Sequence, residues 1–228
     1  MKKPLLLLHG ALGSAAQFDD LKQDLSAEWT VFVLGFPGHG GESTDTEFSI
    51  AAFADSILAF LEKNSLGPIQ IFGYSMGGYV ALRLARYHPE QVAHVITLGT
   101  KLAWSPETAA KETALLDPDK ITAKVPAFAQ MLAERHAPAD WQVVVCQTAG
   151  LLHDLGNGAA LGPDDFRAIT CPVVIGLGEA DNMVSREESE QVADWLPNGR
   201  FEVLPGVKHP FEQVDQKMLA VWLKECLA

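Results

Sequence analysis

The sequence predicts an α/β fold, with a mostly or wholly parallel sheet of about six strands, helices on both faces, and a helical segment inserted between the fourth and fifth strands. Three observations carry this. Short runs at Pro4 to Leu8, Val31 to Leu34, Ile69 to Phe72, Val92 to Leu98, Pro172 to Leu177 and Phe201 to Leu204 are mostly unbroken Leu, Val and Ile. Such blocks are the mark of strands buried on both faces, as in parallel sheets. Longer stretches of helical spacing separate the runs. One gap, Lys101 to Ala168, is far longer than the roughly 10–15 residues of a crossover helix.

Composition narrows the possibilities further. At 228 residues the chain is one large domain or one domain with an insertion, long enough to bury its own core. The net charge of -12 argues against nucleic acid as a partner. No apolar run approaches the ~18 residues of a membrane span. Cys146, Cys171 and Cys226 lack the spacing of a disulfide framework, a zinc site or a C-x-x-C motif, and Cys146 and Cys171 are expected in the core. The opening Met1-Lys2-Lys3-Pro4 and four leucines imitate a secretory signal, but the apolar stretch stops at His9-Gly10, short of a full apolar region or cleavage site. It reads as the first strand, and the protein as cytoplasmic.

The elements follow in order. After the second strand, Ile50, Phe53, Ile57, Phe60 and Leu61 form one stripe of an amphipathic helix ending near Asn64 and Gly67. A helix beginning inside the core should follow Ser75, because Met76 to Leu82 carries no charge. In the insertion, Ser105-Pro106, Asp117-Pro118 and Ala137-Pro138 each resemble a helix start, with Ser105 and Asp117 as caps. The last helix should open at Pro210 and place Phe211, Val214, Met218, Val221 and Trp222 on one face. The implied division is a core of residues 1–100 and 169–228 and an insertion of residues 101–168.

The sharpest motif is Gly73-Tyr74-Ser75-Met76-Gly77, a G-x-S-x-G between a strand and a buried helix. A serine on so tight a turn needs small neighbours, and the helix behind it points free amides and the positive end of its dipole at the hydroxyl. Met76 supplies one such N–H. A hydroxyl is a poor nucleophile at neutral pH and requires a base, which in turn requires an orienting carboxylate. His209 follows the sixth strand and Asp181 the fifth, so both lie at the sheet edge where ligands bind in open α/β folds. Glu179 is two residues from Asp181, whereas Asp154 and Asp215, the other possible partners, follow no strand.

These residues resemble the Ser-His-Asp type of the α/β-hydrolase family, with the triad in the order serine, acid, histidine. The resemblance covers nearly the whole chain. It implies a three-layer sandwich with a helical cap at Lys101 to Ala168. By its pattern, His9-Gly10 opens the oxyanion loop, so the Ala11 N–H joins that of Met76 as a donor. Leu12 is the alternative donor should the turn differ, and a substrate-binding candidate. Gly35 to Ser43 resembles the family's glycine-rich turn, here without the aspartate often found at Gly35. The first strand begins where the family usually has already formed a hairpin, so six strands are expected rather than eight.

The family's chemistry implies cleavage of a carboxylic ester, lactone or thioester through a Ser75 acyl-enzyme. The resemblance extends to small enol-lactone hydrolases and to a menaquinone-pathway synthase. The alternatives are therefore a lyase or synthase using the triad as a general base, and a non-catalytic ligand-binding member. Neither cofactor nor metal is implied; His153-Asp154 lacks further ligands. His9 is expected to be structural, His88 a helix-end residue, and His39 a turn residue and candidate for the pocket wall. Trp104 and Met131 are the candidates from the insertion for an apolar acyl pocket, beside Phe128, Trp141, Leu151 and Leu152, which share that segment. Lys101 and Lys208 fall near the site edge, where solvated lysines are the favoured reading over a carboxylate anchor. The expected partner is a small ester-like molecule, with no nucleic acid and no membrane, and the protein a monomer or homodimer.

Overall fold

The computed structural model describes residues 2–44 and 46–227. Six strands, β1 (Lys3–Leu8), β2 (Trp29–Leu34), β3 (Ile69–Tyr74), β4 (Val92–Leu98), β5 (Val173–Gly178) and β6 (Gly199–Leu204), form one sheet in the order β2-β1-β3-β4-β5-β6. All neighbours pair in parallel. Every predicted strand is present, each extended by no more than a few residues.

The order reverses between β1 and β3, since the chain leaves β1 toward β2 and then returns to β1's other side. Ligands bind outside the carboxyl ends of the strands at such a switch point, because the connections on its two sides diverge and leave a crevice. Register places the two relevant ends side by side: Leu8 of β1 lies opposite Gly73 of β3, two residues before Ser75.

Alternate side chains serve opposite faces. Leu5 and Leu7 of β1, with Phe72, Ile96 and Val174, pack against α1 (Asp19–Leu25) and α10 (Gln216–Leu227). Leu6 and Leu8, with Ile71, Val95 and Ile175, face α2 (Ile50–Lys63), α3 (Met76–Tyr87) and α9 (Arg186–Trp195). α2 buries Ile50, Phe53, Ile57 and Leu61 and ends at Asn64 as its spacing predicts. The first turns of α3 are buried throughout. His88 caps the end of α3.

Between β4 and β5 the chain forms α4 (Pro106–Thr113), α5 (Pro118–Lys124), α6 (Pro126–His136), α7 (Trp141–Asp154), a π-type turn at Leu155–Ala159, and α8 (Pro163–Arg167). Ser105 and Asp117 cap α4 and α5 as expected, their side chains accepting from Thr108 N–H and from Asp119 and Lys120 N–H. The third expected start fails. Ala137-Pro138 lies in a connection, while α6 opens at Val125-Pro126 and α7 after Asp140, whose carboxylate accepts from Gln142 N–H. Alanine offers no side-chain acceptor, so the helix waits for the aspartate.

The C-terminal helix also differs. Pro210 opens a single 3-10 turn, Phe211–Gln213, and α10 begins only at Gln216, after Asp215 accepts from the N–H groups of Lys217 and Met218. The break shifts the helical phase. Leu219, Trp222 and Leu223 turn inward and Val221 stands exposed. Cys146 is exposed, against expectation, because Val144, Val145, Thr148 and Leu151 take the inner face of α7, and Cys171, in the turn before β5, is only half-buried.

Phe53 stacks on Phe36 at a centroid distance of 4.8 Å and is almost wholly buried. Phe53→Ala should therefore cost ~3–5 kcal/mol. Val221→Ala should stay within about 0.5 kcal/mol. Urea unfolding of the two variants checks both, and equal losses would contradict this assignment of the core.

Candidate active site

Ser75 sits between β3 and α3 with φ 50° and ψ −118°, a region costly for a residue with a side chain. Its surroundings hold it there. A Cβ on Gly73 would strike the backbone of Gly77 and Gly78, and one on Gly77 would strike the carbonyls of Leu8 and His9. The Ser75 N–H donates to Leu98 O at 2.9 Å, and its carbonyl accepts from the Thr100 hydroxyl at 2.9 Å. The hydroxyl is thus presented at the sheet edge by backbone that cannot relax away from it.

Ser75 Oγ lies 3.5 Å from His209 Nε2, and His209 Nδ1 lies 2.7 Å from Asp181 Oδ2. The first contact is loose, as such pairs often are before they tighten around a reacting carbonyl. The second is short and nearly closed to solvent: the Asp181 side chain is 2% exposed. Its other oxygen accepts from the N–H groups of Met183, at 2.8 Å, and Val184, at 3.0 Å. Burial pushes the Asp181 carboxyl up, but the His209 hydrogen bond and charge, with the two amides, hold it below the usual carboxylate range. It is therefore ionised at neutral pH. Glu179 serves elsewhere, accepting from Gly206 N–H at 2.9 Å in the loop that carries His209.

Two contributors escaped the sequence reading. Gly99, with φ +62°, lies so close that a Cβ there would stand 3.1 Å from Asp181 Oδ2 and 3.4 Å from His209 Nδ1. The other, the Thr100 hydroxyl, follows it. A glycine directly after an apolar strand was the available signal, but it marks any turn.

A cavity of about 330 Å³ opens over Ser75, lined by Ala11, Leu12, Met76, Tyr79, Trp104 and His209 among others. Met76 is the first residue of α3, so its N–H has no acceptor within the helix. Gly10 to Gly13 makes a β-turn, closed by Gly13 N–H to Gly10 O at 3.1 Å, with Leu12 at φ 56° in the third position. Ala11 is at the tip of this turn. The insertion supplies Trp104, Leu115, Leu116, Phe128, Leu152 and Leu155 to the wall, making it chiefly apolar.

Some candidates fall elsewhere. Met131 does not line the cavity; its sulfur packs by Arg135 Nη2 at 3.5 Å. His39 does not line it either. Its ring is fully buried, stacked on Phe48 at 4.8 Å and edge-on to Phe53 at 5.6 Å, because the glycine-rich turn folds inward. Lys101 reaches the cavity but is engaged, donating to Met183 O at 2.8 Å and lying 3.4 Å from Glu112. Lys208 is exposed and outside the lining.

The family model for the alpha/beta hydrolase fold matches residues 3–140. The chain belongs to this family. Over 90 residues, 40% of this chain and 33% of the relative, the sequence is 42% identical to a pimeloyl-(acyl-carrier protein) methyl ester esterase of Neisseria meningitidis. That match therefore spans about a third of the relative's length. An enzyme of the same name from Edwardsiella ictaluri is 28% identical over 230 residues, covering 92% of this chain and 88% of its own. A thermophilic esterase structure from Thermogutta terrifontis superposes with a TM-score of 0.79 at 22% identity, covering 100% of this chain and 90% of that one. At that identity the likeness concerns the fold. Among the described residues, no helix is long and apolar enough to cross a membrane.

Three buried histidines meet at the glycine-rich turn. His9 and His39 lie 5.3 Å apart, and His39 and His136 5.7 Å apart. His9 Nδ1 donates to Gly10 O at 2.8 Å while Nε2 accepts from Phe36 N–H at 3.1 Å, which requires the neutral ring. His136 Nδ1 accepts from Gly40 N–H at 3.0 Å. Burial lowers His9 to about 4; burial and the neighbouring Arg135 charge lower His136 to about 4; His39 is also lowered, by burial and by His9.

Between the unfolded value near 6.5 and the folded value near 4, the unfolded chain binds protons that the folded one refuses. Stability should be fully present above about pH 6.5 and fall steadily as pH drops toward 4. Thermal melts across that range check this, and His136→Gln should flatten the slope. A slope unchanged in that variant would remove His136 from the account.

Proposed function

We propose that the protein is a serine hydrolase that cleaves carboxylic esters through a Ser75 acyl-enzyme. The supporting observation is the line from Asp181 through His209 to Ser75, ending in an apolar cavity that Ala11 and Met76 border. The methyl ester esterases that it resembles in sequence support ester cleavage as the reaction.

In the first half-reaction His209 takes the Ser75 proton as Oγ attacks the ester carbonyl. The amides of Ala11 and Met76 receive the oxyanion, and His209 returns the proton to the departing alcohol. Water then attacks the acyl-enzyme with His209 again as base, and the collapse of the second tetrahedral species frees the acid and restores Ser75. Ionised Asp181 keeps the His209 ring oriented and stabilises its protonated form. The chain's own groups and water suffice for each step. Leu12 and Trp104 flank the reacting centre as substrate contacts. The free cysteines Cys146, Cys171 and Cys226 suit a reducing cytoplasmic setting.

Purified protein should cleave short p-nitrophenyl esters, and a fluorophosphonate should label Ser75. Ser75→Ala should abolish both, while Asp181→Asn should lower kcat by about 10⁴ with its fold intact. An active wild type that forms no acyl adduct under rapid quench and mass spectrometry would replace the nucleophilic role of Ser75 with a general-base role.

The chain-length profile tests the wall. Trp104→Ala enlarges an apolar cavity, so the preferred acyl chain should lengthen by several carbons, read as kcat/KM over a series of p-nitrophenyl esters. An unchanged profile would place Trp104 outside the acyl path.

A further inference from the structure

We infer that Arg135 is a positioning residue for the oxyanion site, reaching from the inserted helix α6 to clamp the turn that carries Ala11; this rests on the ester-hydrolase reading above. The turn is short and unusual. Leu12 occupies its third position with φ 56°, where glycine is the usual occupant, so the turn has a backbone conformation the chain would not hold unaided. Two side chains hold its carbonyls. The neighbouring His9 Nδ1 donates to Gly10 O at 2.8 Å, on the peptide that carries the Ala11 N–H, and Arg135 Nη1 reaches from the insertion to donate to Leu12 O at 2.9 Å, at the other end of the turn.

The guanidinium is itself fixed by a polar circuit that returns to the same loop. Arg135 Nη2 pairs with Glu212 Oε1 at 2.6 Å; that oxygen also accepts from Gln17 Nε2 at 3.0 Å; Gln17 Oε1 accepts from Ser14 N–H at 3.0 Å. Residues 12 and 14 are thus gripped through one arginine and one glutamate. Glu212 stands three residues beyond His209, so the circuit also ties the oxyanion loop to the segment bearing the base. Arg135 lines the cavity with a side chain only 14% exposed, yet its donors face Leu12 O, Glu212 and the Met131 sulfur. That commitment favours holding the loop over anchoring a substrate carboxylate.

The consequence is a division of labour across the fold. Sheet and α3 place Ser75 and the Met76 amide, whereas the second donor's orientation depends on the insertion. Loss of one oxyanion donor costs about 10²–10³ in rate. Loosening rather than removing it should cost roughly tenfold or more in kcat, with KM moved by less than about threefold.

Arg135→Met keeps the length and packing of the stem, Arg135→Lys keeps a cation within reach of one acceptor, and Glu212→Gln leaves the Leu12 contact while neutralising its partner. The inference expects Arg135→Met to lose roughly tenfold or more in kcat on p-nitrophenyl acetate and to bind an alkyl boronic acid at Ser75 weaker by the same factor, with partial recovery in Arg135→Lys. Glu212→Gln should fall between wild type and Arg135→Met. A kcat within about twofold of wild type in Arg135→Met, or a loss confined to KM or to thermal stability, would overturn it. Boronate affinity reads the oxyanion site without turnover. A wild type that binds boronate but cleaves no ester would therefore sink the ester-hydrolase reading and still decide the role of Arg135; one that does neither would sink both.

Discussion

The close approach of α3's first turn to the end of β1 is the constraint on which the site depends. Gly77 lies against the carbonyls of Leu8 and His9 with no room for a Cβ, so the serine turn and the loop after β1 are held together as one unit. Because the sheet changes direction between those two strands, the unit borders a crevice rather than another connection. Ser75, the Met76 amide and the Ala11 turn share that single contact. His209 and Asp181 then come to Ser75 along the sheet edge from β6 and β5.

Electrostatics follow from burial. Asp181 is nearly closed to solvent yet ionised, because one imidazole and two amides replace its water. The three histidines at the glycine-rich turn take the opposite course: each is buried without a carboxylate partner and stays neutral, acting through lone pairs and N–H groups. One histidine in this neighbourhood faces a carboxylate, and three do not. What separates them is the partner each one faces.

The insertion is joined to the core at several points besides its two ends. Tyr79 of α3 accepts from Leu161 N–H at 2.7 Å, His136 accepts from Gly40, and Arg135 grips Leu12. Adjacent residues of α6 thus hold two different core loops. The apolar wall and the hold on the turn after β1 both follow from how this segment packs.

The sequence by itself determined the strands, their parallel arrangement, the placement of Ser75 between strand and helix, and the choice of His209 and Asp181 as its companions, all of them distances apart that only a sheet could close. These rest on local pattern: unbroken apolar blocks, small residues about a serine, and chemistry-bearing residues after strands. Tertiary structure alone decided which side chains reach the cavity. His39 turned into an aromatic nest, Met131 turned toward Arg135, and the phase of α10 moved when Asp215 capped it later than Pro210 suggested. Gly99, Thr100 and Arg135 became visible only once β4, the serine turn and α6 were folded together. Their contribution is contact with something distant in the chain, and single-residue chemistry carries no record of what will lie beside it.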